Sequence, residues 1–370
     1  MKKTKCLVLK IGSSSLVSED GRVQQNFIDQ ISMELKTLQS SGWEVIVVSS
    51  GAVAMGRLLY GKATRKSLSQ KQALSAIGQR HLINLWEGAL SKSDIMTSQI
   101  LLTRDDFKSR KRMLNFRNVL TELLKMGTIP IINENDALSS DEIRVGDNDT
   151  LGALVAVAAG ASDYVIMSDI DGLYDKNPAK FKDGQIIPTV TAITEDIRKM
   201  AGSSGSAVGT GGMITKLDSA EIATKAGITM HIVSHKLEDF AHKLIHQEVM
   251  GTEFTPRKNI SGHRHWIGFQ SSAVGQLTID GGAITAIRSH KSLLAVGITK
   301  ASGYFKPGDT IEILAPDGRL VAKGLSNFSS TQVRLIMGKK NSLHKAILQE
   351  DVHTSVVHAD NMMIKEEEKQ

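Results

Sequence analysis

Cys6-Leu7-Val8-Leu9-Lys10-Ile11-Gly12-Ser13-Ser14 is a short apolar run that ends in a lysine and a glycine turn. Such a run predicts a strand buried on both faces, as in a parallel sheet. The form returns at Val45-Ile46-Val47-Val48-Ser49-Ser50-Gly51 and at Thr128-Ile129-Pro130-Ile131-Ile132-Asn133. It returns twice more, at Tyr164-Val165-Ile166-Met167-Ser168-Asp169 and Ile228-Thr229-Met230-His231-Ile232-Val233. Helical spacing separates these runs: Ile28, Ile31, Leu35 and Leu38; then Leu151, Leu154, Val155 and Ala158; then Ile214, Leu217, Ala220 and Ala223. Alternating strands and helices predict right-handed βαβ units. The fold class is therefore α/β, an open and mainly parallel sheet sandwiched by helices.

That pattern covers residues 1–255. A polar, basic stretch over 256–272, from Arg257-Lys258 to Arg264, is expected to be a linker. Beyond it the strands shorten and turns multiply, at Asp280-Gly281-Gly282, Pro307-Gly308-Asp309 and Pro316-Asp317-Gly318. Residues 273–355 are expected to form a small β-rich domain, a barrel, and 356–370 a tail. The chain of 370 residues is 41% hydrophobic and 23% charged, which excludes a disordered or fibrous protein. One cysteine, Cys6, allows no internal disulfide and points to a reducing, cytoplasmic setting. The apolar run at 6–9 stops at Lys10, too short for a secretory signal, and no stretch is long and apolar enough to span a membrane.

In an open parallel sheet, ligands bind outside the carboxyl ends of the strands. The polar residues there are Lys10 with Gly12, Ser50 with Gly51, Asn133 with Asn135 and Asp136, and Ser168 with Asp169. A lysine beside a glycine turn suits a phosphate, because backbone N–H groups can approach an anion there. The glycine-rich stretch from Ser203 leads through Thr210-Gly211-Gly212-Met213-Ile214-Thr215-Lys216 into a helix, a second anion site. It matches neither a Walker A loop nor a dinucleotide fingerprint. Asn133, Asn135, Asp136, Asp147, Asn148 and Asp149 are crowded enough to form either a metal site or a site for a small zwitterion. The calcium-loop pattern and zinc-ligand spacing are both missing, and so is a serine nucleophile elbow. No metal ligand is assigned. Two lysines without a nucleophile suggest phosphoryl transfer, which needs positioning and charge stabilisation above all. Asp149 is placed to hold both ammonium groups.

Taken in order, these residues resemble the amino acid kinase family, and within it the glutamate 5-kinase branch. The likeness runs from about residue 5 to residue 355. Val8 to Ser14 resembles the family's first strand and phosphate turn, and Ser49-Ser50-Gly51-Ala52-Val53 its second loop. Ile132 to Asp136, Val145 to Asp149, and Gly209 to Lys216 resemble motifs of that branch. Gly303-Tyr304-Phe305-Lys306-Pro307-Gly308-Asp309 resembles the signature turn of a PUA domain. Two departures are visible: Ala295 where proline is frequent, and Ser49 where threonine is common.

The resemblance implies ATP-dependent phosphorylation of the side-chain carboxylate of L-glutamate, the first step toward proline, with Mg²⁺ arriving on ATP. It implies that Lys10 and Lys216 contact the phosphates and that Asp149 organises them. It implies that Ser50, Gly51, Asn133, Asp136 and Asn148 bind glutamate. Ser168, Asp169 and Thr210 to Lys216 (Thr210, Gly211, Gly212, Met213, Ile214, Thr215, Lys216) would bind ATP, together with Lys10. It further implies inhibition by L-proline at an overlapping site, a homo-oligomer, and coupling to the reductase that consumes the acyl phosphate. Rival acceptors within the family are aspartate, N-acetylglutamate and nucleotides; the acidic cluster favours a free ammonium. RNA is a candidate accessory partner of the PUA domain. Residues 271–370 carry 12 Lys+Arg against 10 Asp+Glu, so no basic concentration supports RNA as the main partner.

Overall fold

The computed structural model describes residues 4–18, 20–61, 67–138, 148–176, 178, 181, 183–201, 212–256, 273–348 and 355–365. They form two compact units, one of residues 1–106 and 113–259, the other of residues 107–112 and 260–370. The first unit holds an eight-stranded sheet. Its strands are β1 (Cys6–Ile11), β2 (Glu44–Ser49), β3 (Thr97–Leu102), β4 (Ile129–Glu134), β5 (Asp163–Ser168), β6 (Thr189–Val190), β7 (Thr229–Ser234) and β8 (Thr252–Phe254). They lie in the order β3-β4-β2-β1-β5-β7-β8-β6. All pairings are parallel except β7 with β8. β1 is central: the chain builds the sheet on one side through β2 and crosses to the other through β5. Strand order reverses at that point, and in open sheets of this kind ligands bind at the carboxyl ends beside the reversal, here those of β1, β2 and β5.

Every residue of β1 is buried, as its apolar run requires. Alternation sends Leu7, Leu9 and Ile11 to one face, where they share a core with α2 (Gln25–Ser40), α4 (Leu68–Leu90) and α10 (Phe240–His246). Val8 and Lys10 take the other face. There α7 (Asn148–Ala159) packs on β1 and β5, α9 (Met213–Lys225) packs on β7, and the two helices pack on each other. This parity brings Lys10 under α7 and α9. The stripe Ile28, Ile31, Leu35 and Leu38 is wholly buried on α2. On α9 the stripe is narrower than its spacing suggests: Leu217, Ala220 and Ala223 are buried, but Ile214 is exposed. α7 is buried along nearly its whole length, so its apolar residues do not mark one face. α3 (Ala52–Tyr60) meets α4 at unusually short range. A Cβ on Gly56 would stand 1.9 Å from the Leu74 carbonyl oxygen, and one on Gly78 1.9 Å from that of Ala52.

The second unit has a five-stranded sheet of order β10-β9-β11-β12-β13. These are β9 (Gly275–Ile279), β10 (Ile298–Gly303), β11 (Thr310–Leu314), β12 (Leu320–Leu325) and β13 (Met362–Ile364). Its core includes Leu277, Ile279, Phe305, Ile311, Ile313 and Val357. Two expectations need correcting here. Asp280-Gly281-Gly282 is the start of α11 (Gly281–Arg288), where the Asp280 side chain accepts from the Ala283 N–H at 2.7 Å. Residues 356–365 are not a tail: Val356 and Val357 are fully buried, and β13 pairs antiparallel with β12. The apolar run Met362-Met363-Ile364 is too short to stand out without its partner strand. The expected linker falls almost wholly on 257–272, outside the described residues, as do 366–370. Ala295 opens a single 3-10 turn, Ala295–Gly297, and is fully buried.

Candidate functional site

Two charge systems meet at the first turn of α7, on consecutive residues. Asp149 faces Lys10 and Lys216. Its Oδ1 lies 2.5 Å from Lys10 Nζ and its Oδ2 3.0 Å from Lys216 Nζ. All three residues are buried. Thr215 Oγ1 stands 3.4 Å from the same Oδ2. Burial pushes the Asp149 carboxyl up, but the ammonium groups of Lys10 and Lys216 outweigh this and bring it down to about 2. Tyr164 on β5 donates to the Asp149 backbone carbonyl at 2.6 Å and so anchors this turn. Gly152 leaves room for it, since a Cβ there would meet the Tyr164 hydroxyl at 2.5 Å. One carboxylate thus holds two buried cations, a cluster with one net positive charge.

Gly12, two residues after Lys10, has φ −72°, an ordinary value, so its conformational freedom is not what the turn uses. Its contribution is space: a Cβ would sit 3.8 Å from Lys10 Nζ. Gly51 differs. It has φ +113° and opens α3 directly after Ser50, a backbone that only glycine adopts easily.

Asn148 faces the other way. Its Nδ2 donates to Ser50 Oγ at 2.8 Å and to Asn133 Oδ1 at 2.9 Å. Asn133 Oδ1 also accepts from the Glu134 backbone N–H at 2.8 Å, and Asn133 Nδ2 donates to Gln79 Oε1 at 2.8 Å. Asp136 accepts from Ser75 Oγ at 2.8 Å, and burial, only partly countered by Ser75, raises its carboxyl. Asn148 Oδ1 and Asp136 Oδ1 are buried and have no hydrogen-bond partner among the described residues. Two acceptors left in this way call for a ligand that brings N–H donors.

At the end of β5, Ser168 is buried and donates to Asp169 Oδ1 at 2.9 Å, while Asp169 is exposed. Gly212 caps α9, and Thr215 Oγ1 donates to its carbonyl at 2.8 Å. Met213 and Thr215 are half-buried there. Thr210 and Gly211 lie outside the described residues, as does Asp147. Among the described residues, no group of three or more His, Cys, Asp or Glu side chains is placed to hold a metal ion, and no helix is long and apolar enough to cross a membrane.

Sequence reading missed two contributors, Ser75 and Gln79. Ser75 and Gln79 lie one turn apart on α4 and reach the turn after β4 and β4 itself, across 61 and 54 residues respectively. The signal was a polar pair at helical spacing among the buried Leu74, Gly78 and Leu82. Ser49, the departure from threonine, is fully buried and accepts from Trp86 Nε1 at 2.8 Å, so its hydroxyl satisfies the core.

The amino acid kinase family profile matches residues 5–234, and the PUA domain profile matches residues 275–348. The chain is 41% identical over 364 residues to a glutamate 5-kinase of Caldanaerobacter subterraneus subsp. tengcongensis, covering 97% of this chain and 98% of that one. It is 40% identical over 367 residues to glutamate 5-kinase 1 of Mesorhizobium japonicum, covering 98% and 97%. It is 40% identical over 367 residues to a glutamate 5-kinase of Geobacter sp. strain M21, covering 98% of both. The crystal structure of aspartate kinase from Synechocystis superposes with TM-score 0.47 at 17% identity, over 69% of this chain and 41% of that one. By the profile matches and the full-length sequence relatives, the chain belongs to the amino acid kinase family, among its glutamate 5-kinases, and carries a PUA domain after the kinase region.

Proposed function

We propose that the chain transfers the γ-phosphoryl group of ATP to the side-chain carboxylate of L-glutamate, giving L-glutamyl 5-phosphate, the first step of proline biosynthesis. One observation carries this reading: the consecutive residues Asn148 and Asp149 join an ammonium-seeking amide cluster to a phosphate-seeking lysine pair. The acceptor and the donor would meet over the start of α7. A carboxylate is ionised at neutral pH, so the nucleophile needs no base. Its oxygen forms the new bond to the γ-phosphorus as the bond to the bridging oxygen breaks, and ADP leaves with the electron pair. Charge gathers on the bridging and γ-oxygens, where Lys10 and Lys216 stabilise it.

In this reading Ser50, Gly51, Asn133, Asp136 and Asn148 bind glutamate. Ser168, Asp169 and the 210–216 segment bind ATP. Both oxygens of Asp149 are engaged by lysines, so Mg²⁺ enters as part of the nucleotide complex, held mainly by phosphate oxygens and water. L-Proline, which also carries an ammonium and a carboxylate, competes at the amide cluster. The enzyme works in the cytoplasm as a homo-oligomer, and a reductase consumes its labile acyl phosphate. RNA binding by the PUA domain is at most an accessory role.

Incubation with ATP, Mg²⁺, glutamate and hydroxylamine should yield a hydroxamate, less of it when proline is added. Faster turnover of aspartate than of glutamate would reject the assignment of the acceptor. Inhibition by proline that high glutamate does not relieve would reject the overlapping sites.

A further inference from the structure

We propose that Gln79 is a positioning residue for the amino-acid site, holding the Asn133 amide so that Asn148 presents its carbonyl oxygen to the substrate's ammonium. The inference rests on an amino acid being the phosphoryl acceptor. The two ends of an amide side chain have nearly the same shape, and only their partners decide which end faces where. Here one partner is unambiguous. The Glu134 backbone N–H, 2.8 Å from Asn133, can only donate, so the Asn133 atom it meets is the carbonyl oxygen. The amino end of Asn133 then faces Gln79, which must offer Oε1. The same Asn133 oxygen takes a second hydrogen bond from Asn148 Nδ2. Asn148 Nδ2 also serves Ser50, which leaves Asn148 Oδ1 as the acceptor at the end of the chain.

Gln79 and the Glu134 N–H therefore grip opposite ends of one buried amide. Without an acceptor at position 79, the Asn133 amino group, on a residue only 2% exposed, loses its partner. Among the described residues, the next unclaimed acceptor along this hydrogen-bond chain is Asn148 Oδ1, the atom meant for the ligand. Ser75, one turn before Gln79 on α4, does a parallel task by occupying one oxygen of Asp136, while the other has no donor among the described residues. One helix face thus sets the polarity of the site without itself meeting the reacting atoms.

The test compares glutamate with glutarate, which has both carboxylates but no ammonium. In the full-length protein, Gln79→Met keeps the length of the side chain and removes the acceptor. The KM for glutamate should rise about tenfold, equivalent to about 1.4 kcal/mol. The inhibition constant of glutarate and the KM for ATP should stay near wild type. Gln79→Glu keeps the acceptor and should restore most of the glutamate affinity. Gln79→Lys, which can only donate, should move in the same direction as Gln79→Met and serves if that variant does not fold. Equal losses for glutamate and glutarate would overturn the proposal, and so would Gln79→Glu falling as far as Gln79→Met. A wild-type protein that makes no hydroxamate from glutamate would instead reject the assigned reaction.

Discussion

Lys216 sits in the first turn of α9, where the helix dipole disfavours a cation, and it is 4% exposed. Asp149 offsets both penalties, but it serves Lys10 as well, so the pair of lysines keeps one charge in excess. Lys216→Met should lower kcat by roughly 10²–10³-fold with little change in the KM for glutamate, as expected when one stabiliser of transition-state charge is removed. Single-turnover measurements with saturating ATP would check this; an unchanged rate would place Lys216 outside the chemistry. Asp149→Asn should do a different kind of damage. It leaves two buried ammonium groups without their counter-ion, and loss of one partner of a buried pair costs about 3–5 kcal/mol. Urea unfolding should show that loss, and high phosphate should recover part of it. At this scale much was legible in advance, because a lysine inside an apolar run is conspicuous. Gln79 was not, because a glutamine on a helix is unremarkable until its partner 54 residues away is known.

Helices α3 and α4 form the element that frames the side proposed for the acceptor. α3 starts at Gly51 beside Ser50, and α4 carries Ser75 and Gln79. Their close approach depends on Gly56 and Gly78. A Cβ at Gly78 would lie 1.9 Å from the Ala52 carbonyl oxygen and 2.4 Å from the Gly56 nitrogen, backbone atoms that cannot swing away. Gly78→Ala should therefore destabilise by about 1–3 kcal/mol and raise the KM for glutamate as the two helices part. Gly88→Ala on the same helix, where a Cβ meets nothing within 4 Å, should be neutral or stabilise by about 0.5–1 kcal/mol. Thermal unfolding of the two variants, with glutamate kinetics alongside, separates close packing from general helix propensity. Strands were the readable elements of this chain. Buried parallel strands announce themselves as apolar runs, and β1, β2, β4, β5 and β7 lie within one residue or two of those runs. β3 was missed because it is an edge strand, TSQILL, with mixed exposure and no buried run to betray it. β13 was missed because three residues carry no period of their own.

For the whole molecule, two buried groups among the described residues, both with lowered pKa values, weaken the fold as pH falls. His231 on β7 is held neutral, its imidazole brought down to about 4 by burial. A base whose folded value is depressed costs stability as pH falls from its ordinary 6.5 toward 4, by about 3 kcal/mol in all. Asp149 acts in the next window. Its stabilisation is full above 3.8 and is lost as pH falls toward 2, about 2 kcal/mol more. Denaturant midpoints across pH should fall in both windows. His231→Leu should flatten the first and leave the second, and a slope unchanged by that substitution would remove His231 from the account. The α/β class and the order of the motifs were legible from the alternation of runs, whereas the reach of the second sheet to residue 364 depended on pairing that no local pattern reveals. The cluster of Lys10, Asp149 and Lys216 has one more consequence. Its members come from β1, α7 and α9, elements spread over most of the first unit's chain, and together they hold an unbalanced charge. A polyphosphate seated there acts as a clasp that closes distant parts of the polypeptide on one another. Nucleotide at a hundredfold its dissociation constant should add about 2.7 kcal/mol to stability. Resistance to proteolysis in a starved cell would then track its ATP charge, making the lifetime of the protein a readout of the same anion it spends.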